Sequence, residues 1–204
     1  MPTRAPYASE GGDDERGAAA GSREALAEAM LQACGELGFE RVAVADVVER
    51  GGGKPSDFYR HFADLAECYA AAYEVETGKL CGEILARGAA AEDWRGGLHA
   101  GVAFLAEFLR AEPGRARALL IDVHLAGERA EQRRKDVAER LAHAIDSARE
   151  EPESHYSPPP LTSLFMVSAI EAAACSALVR DRPESFAEAA PELEQLVITA
   201  YFGD

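Results

Sequence analysis

Residues 42–62 read VAVADVVERGGGKPSDFYRHF, and this stretch decides how the rest of the chain is read. Val44, Val47 and Val48 recur at i, i+3 and i+4, the spacing of one apolar helix face, and predict a short helix from Val44 to Arg50. Gly51, Gly52 and Gly53 then end it, because glycine enters tight or left-handed backbone at low cost. Pro55 opens a second helix in the first turn, where its missing N–H loses no partner, and Phe58, Tyr59 and Phe62 follow at helical spacing. A helix, a glycine turn and a second short helix bearing polar and aromatic residues is the outline of a DNA-binding helix-turn-helix.

Upstream, Ser22 is placed to cap a first helix, with Glu24 near its positive end and Leu26, Met30, Ala33 and Leu37 at helical spacing. Gly38 stops that helix and Phe39 is expected to pack back under it. Residues 22–63 thus form a three-helix head with a core of Leu26, Met30, Leu37, Phe39, Val44, Val47, Val48, Phe58 and Phe62. Residues 1–21 mix Pro, Gly, Ala and acidic residues without periodicity and are read as a disordered arm.

The run Phe58-Tyr59-Arg60-His61-Phe62 after the glycine turn, preceded by Asp46-Val47-Val48-Glu49-Arg50-Gly51, resembles the N-terminal domain of TetR-family transcriptional regulators. The resemblance implies that the helix Lys54 to His61 enters the major groove of an operator, with Lys54, Ser56 and Asp57 at its groove-facing end. Tyr59 and His61 match positions that in relatives donate to phosphate or flank the backbone, and Lys54 or Arg60 adds charge. Phe58 and Phe62 are core. The chain departs from the family pattern at Ala43, where a capping Ser or Thr is common, and at Ala45 and Leu65, where polar or basic residues are common. Asp57 on the recognition helix repels phosphate unless it accepts from a cytosine amino group.

From residue 64 on, the pattern is helical throughout, so the fold class is all-α, with a larger body over residues 64–204. A helix runs from near Asp64 toward Arg87, another from Glu92 to Arg110 with Trp94, Leu98, Val102, Leu105 and Leu109 in a stripe, and a third from Pro113 to Leu125. Glu128 to Glu150 is solvated on one face and apolar on the other, through Val137, Leu141 and Ile145. EEPESHYSPPP, residues 150–160, is a helix-breaking loop. Two apolar helices, Leu161 to Arg180 and Glu184 to Phe202, close the chain; the resemblance implies that they pair with a second copy as a four-helix bundle.

The resemblance also implies a pocket for a small-molecule effector among the body helices. Its candidates are Trp94, His99, Phe104, Phe108, His124, Phe165, Met166 and Glu171, the last an unexpected carboxylate inside an apolar helix. Each also has a plainer reading as core or hydrogen-bonded structure.

Composition bounds the alternatives. A net charge of −15 runs against simple nucleic-acid binding, unless an acidic body masks the face of the head. No basic region precedes an apolar run at the N-terminus and no run of 18 or so apolar residues occurs, so a cytoplasmic protein with no membrane span is expected. Cys34, Cys68, Cys81 and Cys175 show no metal or redox spacing, and no GxSxG, HExxH or phosphate-loop motif occurs. Neither metal, cofactor nor catalytic residue is expected. The leading expectation is a homodimeric, ligand-responsive transcriptional regulator, a repressor released from operator DNA by a small molecule. The alternative is a dimeric helical ligand-binding or protein-interaction module that has lost DNA binding.

Overall fold

A computed structural model of the chain describes residues 20–154 and 157–203. Among them there is no strand, and nine α-helices follow one another: α1 Arg23–Leu37, α2 Val44–Arg50, α3 Pro55–His61, α4 Leu65–Ala89, α5 Trp94–Ala111, α6 Pro113–Leu120, α7 Glu128–Asp146, α8 Thr162–Val179 and α9 Glu184–Phe202.

The helix starts have local causes. Ser22 Oγ accepts from Ala25 N at 3.1 Å at the head of α1. Asp64 caps α4 through Glu67 N at 2.8 Å, while Glu67 reaches back to Ala63 N at 2.8 Å, a reciprocal box that accounts for the sharp turn between α3 and α4. Asp93 caps α5 through Gly96 N at 2.7 Å. At α2 the missing cap on Ala43 is offset from the other side, because Asp46 Oδ2 accepts from Ala43 N at 2.8 Å.

The glycine turn serves two purposes. Gly52 has φ +70°, in the left-handed region. A Cβ on Gly53 would stand 2.9 Å from Gly21 Cα, and Gly21 N donates to Gly51 O at 2.8 Å, so the turn packs against the chain entering α1. Ala20 and Gly21, assigned above to the arm, therefore form an ordered turn; residues 1–19 lie outside the described residues, as do His155 and Tyr156 of the 150–160 loop.

The expected head core is present. Leu26, Met30, Val47, Val48, Phe58 and Phe62 are buried, with Leu37, Phe39 and Val44 packed against them. This core runs on across residue 63 into Cys68, Tyr69, Ala72 and Tyr73 of α4, Ala118 and Leu119 of α6, and Val123 just beyond it. Leu65 packs against the same cluster, which explains an apolar residue where relatives are often basic. A second cluster joins α5, α6, α8 and α9 through Val102, Leu109, Ala116, Ala174 and Phe186. A third joins α7, α8 and α9 through Ala142, Ile145, Val167, Val197 and Tyr201.

One expected boundary needs correction. The helix opened by Pro113 ends at Leu120, not Leu125, and a 3-10 turn Asp122–His124 follows, in which Asp122 turns back to accept from Phe39 N at 3.2 Å. Helix α8 is long and apolar enough, by length and composition, to cross a membrane, with a mean hydropathy of 1.7, a property hidden from a count of consecutive apolar residues by Ser168 and Glu171. Only 28% of it is buried within the chain.

Candidate functional site

Helix α3 presents its outer face away from the head core. Phe58 is fully buried, and Tyr59, the next residue, is 62% exposed with its ring set edge-on to Phe58 at 5.4 Å between centroids. Burial of one aromatic thus holds the other outward. Lys54 and Ser56 are exposed. Asp57 is occupied locally: its Oδ2 accepts from Lys54 N at 2.9 Å, its Oδ1 lies 3.1 Å from Arg60 Nη1, and it sits in the positive first turn of α3. His61 is half-buried, and its carbonyl accepts from Arg23 Nη1 at 2.9 Å. The six residues named on this helix thus divide into Lys54, Ser56, Tyr59 and Arg60 on the exposed face, His61 at its edge, and Asp57 at the helix start. Residues 22–63 carry five Lys and Arg against seven Asp and Glu, so most of the chain's negative charge lies elsewhere.

The body encloses a cavity of about 410 Å³ between α4, α5, α7 and α8, with the end of α6 closing one side. The stripe Trp94, Leu98, Val102 and Leu105 of α5 lines it, where Gly97 and Gly101 let α4 approach: a Cβ on Gly97 would lie 2.8 Å from Gly88 O. The volume falls within the ~300–1,000 Å³ of small-molecule sites.

Of the eight expected ligand contacts, Trp94 and Glu171 line this cavity and six do not. His99 is exposed and lies 3.1 Å from Glu194 Oε2. His124 is exposed and lies 3.3 Å from Glu131 Oε2. Phe104 carries the Arg87 guanidinium over its ring at 4.3 Å. Phe108 is held between the first two clusters, and Met166 packs on the third. Phe165 is 70% exposed on the outer face of α8. An aromatic or His at roughly helical spacing marks one face of a helix without saying whether that face meets a cavity, the core or solvent.

The residue missed is Arg134. Its Nη1 donates to Glu171 Oε1 and Oε2 at 3.2 and 2.9 Å, and its Nε and Nη2 donate to Glu131 at 3.1 and 2.8 Å. These bonds hold the Glu131 carboxyl below its ordinary range. The signal was present: Arg134 continues the stripe of Val137, Leu141 and Ile145 at i, i+3, i+7 and i+11, whereas Arg133 and Lys135 point out.

The walls of the cavity and the anchors of the head share helices. Leu119 and Leu120 of α6 line the cavity, and beside them Ala118 O accepts from the buried Tyr69 hydroxyl. Arg115 reaches Glu28 of α1 at 2.6 Å and Glu76 of α4 at 2.9 Å. Gly35 of α1 meets Gly114 of α6 so closely that a Cβ on Gly35 would lie 2.9 Å from the Gly114 carbonyl.

Burial pushes the Cys34 and Cys68 thiols up to about 12 and raises Cys81 and Cys175, keeping all four protonated. Among the described residues no cluster of His, Cys, Asp and Glu has the makings of a metal site.

No family model matches the sequence, and no curated protein matches it significantly. Solved structures do match. A TetR-family transcriptional regulator from Pectobacterium atrosepticum aligns with a TM-score of 0.72 at 19% identity, over 88% of this chain and 93% of that one. The chain has the TetR-family fold. A putative TetR-family transcriptional regulator from Rhodococcus sp. aligns at 0.71 and 19% over 88% and 97%. The transcriptional regulator FadR from Bacillus subtilis, solved in complex with stearoyl-CoA, aligns at 0.76 and 9% over 88% and 99%. At these identities the TetR-like likeness is one of fold.

Proposed function

We propose that the protein is a ligand-responsive transcriptional repressor of the TetR type, acting in the cytoplasm on double-stranded operator DNA. Residues 22–63 serve as the DNA-binding head and residues 64–204 as the regulatory body. Lys54, Ser56, Tyr59 and Arg60 meet the DNA, with His61 at the backbone edge and Asp57 keeping α3 started rather than reading a base. Two heads in a homodimer address successive major-groove segments of a near-palindromic site. The dimer forms through α8 and α9, where the exposed Phe165, Val179 and Leu196, with Leu161 just before α8, give it an apolar face to bury.

The observation that carries the reading is that α4 and α6 bound the cavity on one side and hold the head on the other. A molecule filling the cavity bears on Tyr73, Thr77, Leu119 and Leu120, and any preference for one arrangement of α4 and α6 biases the spacing of the two heads. A protein of this fold has been solved in complex with stearoyl-CoA, in keeping with an apolar effector.

Selection from random duplexes at low salt is expected to enrich a near-palindrome, and Tyr59→Ala to weaken its binding by about tenfold or more, the value of a hydrogen bond to a charged phosphate. Failure to enrich any duplex would defeat the reading and leave a helical module without DNA binding.

A further inference from the structure

The charged residues lining the cavity are gathered at one end. Tyr73, Thr77, Arg134 and Glu171 lie beside Leu119 and Leu120, at the end nearest the head. The opposite end is marked by Leu85, Ala89 and Ser147, which are exposed, and the stretch between is apolar. Along α4, Tyr73 and Ala89 are separated by sixteen residues, about 24 Å at 1.5 Å per residue. The cavity is thus an apolar channel with a polar inner end.

The Glu171 carboxylate dominates the hydrogen bonding at that end. The Arg134 guanidinium is occupied on all three nitrogens by Glu131 and Glu171, so its charge is already shared between two carboxylates. Glu171 lines the cavity and accepts two bonds from Arg134, where a carboxylate has room for about four. Thr77 Oγ1 donates to Tyr73 O at 2.6 Å and keeps its lone pairs. The Tyr73 hydroxyl lines the cavity with no hydrogen-bond partner among the described residues. The inner end therefore offers a carboxylate with open acceptor sites beside a Tyr73 hydroxyl that can donate or accept, and the group best matched to it donates several bonds.

We infer that the effector is an amphiphile with a single cationic, hydrogen-bond-donating head, a primary or secondary ammonium, seated against Glu171 beside Tyr73 and Thr77, with its apolar body filling the channel toward Leu85. A carboxylate head is disfavoured, because it would meet Glu171 where Arg134, the only guanidinium lining the cavity among the described residues, is already bridged. This inference rests on the cavity being the effector site.

Calorimetry on the full chain at neutral pH, with decylammonium, decanol and decanoate as probes of one chain length, tests it without DNA. Decylammonium is expected to bind about tenfold or more tighter than decanol, as a charge-assisted hydrogen bond provides, with decanoate the weakest. Glu171→Gln is expected to bring decylammonium to within about threefold of decanol, the two probes being compared on the same variant and its fold checked by circular dichroism. Decanoate binding as tightly as decylammonium, retention of the preference in Glu171→Gln, or no binding by any of the three would overturn the inference. Should Glu171→Gln fail to fold, the ranking of the three probes on the unaltered chain decides alone. Enrichment of an operator together with such a failure would leave the regulator standing with a different effector.

Discussion

Helices α1 and α6 cross where Gly35 faces Gly114, and substitution there sets two effects of known size against each other. Alanine inside a helix gains about 0.5–1 kcal/mol over glycine through backbone entropy. At Gly35, however, the new Cβ would stand 2.9 Å from both the carbonyl carbon and the oxygen of Gly114. These are backbone atoms, so no rotamer change relieves the contact, and the helices must part by about 0.5–1 Å to reach an ordinary separation. Overpacking of this kind costs about 1–3 kcal/mol, so Gly35→Ala is expected to destabilise by roughly 1 kcal/mol net. Gly78 and Gly82 on α4 have nothing within 4 Å of a built Cβ, and alanine at either is expected to stabilise by about 0.5–1 kcal/mol. Gly114→Ala, whose nearest contact is 3.3 Å, should fall between them. Urea denaturation followed by far-ultraviolet circular dichroism, compared at equal m, measures all four. If Gly35→Ala gains as much as Gly78→Ala, α1 and α6 do not meet as described and the proposed anchoring of the head to the body loses one of its contacts.

Two further outcomes follow from the same structure. Phe58→Ala is expected to cost about 3–5 kcal/mol in the same denaturation assay, while Tyr59→Ala, one residue on and exposed, should change stability by no more than about 0.5 kcal/mol; equal effects would mean that α3 is rotated from its described face. Burial raises the Asp122 carboxyl above its ordinary range despite the Phe39 N–H it accepts. A raised folded value means the native state holds its proton longer, so the stabilising contribution is present below the unfolded value and is lost as pH rises through the folded one. Asp122→Asn, which keeps an acceptor for Phe39, should remove that slope, whereas Asp122→Ala should cost about 1–3 kcal/mol by leaving a buried N–H unmet. Denaturation across mildly acidic to neutral pH separates these, and an unchanged slope in Asp122→Asn would assign it to another group.

The head was legible almost residue by residue. Its helices are short, with stops and starts written in Gly38, Gly51–Gly53 and Pro55, and its core is made of neighbours in sequence, so local spacing carried most of the information. Even the departure at Ala43 has a local answer in Asp46. The body was legible as helices and hardly at all as a site. The stripe from Trp94 to Leu105 reads as core by periodicity, and it turns out to face a cavity, because Gly88, Gly97 and Gly101 set the distance between α4 and α5. Periodicity reports that a face is covered, never what covers it.

By itself the sequence determined the all-α class, the helix-turn-helix and the outward face of α3, because caps, glycines and apolar spacing act within a turn or two of the chain. Only the tertiary structure decided that Arg134 bridges Glu131 and Glu171, that Asp122 holds Phe39, and that α6 touches both the head and the cavity. The Arg134–Glu171 and Asp122–Phe39 contacts join residues 37 and 83 apart in sequence. A pairing over that distance depends on the summed packing of every helix between, and that sum is formed only when the chain is folded.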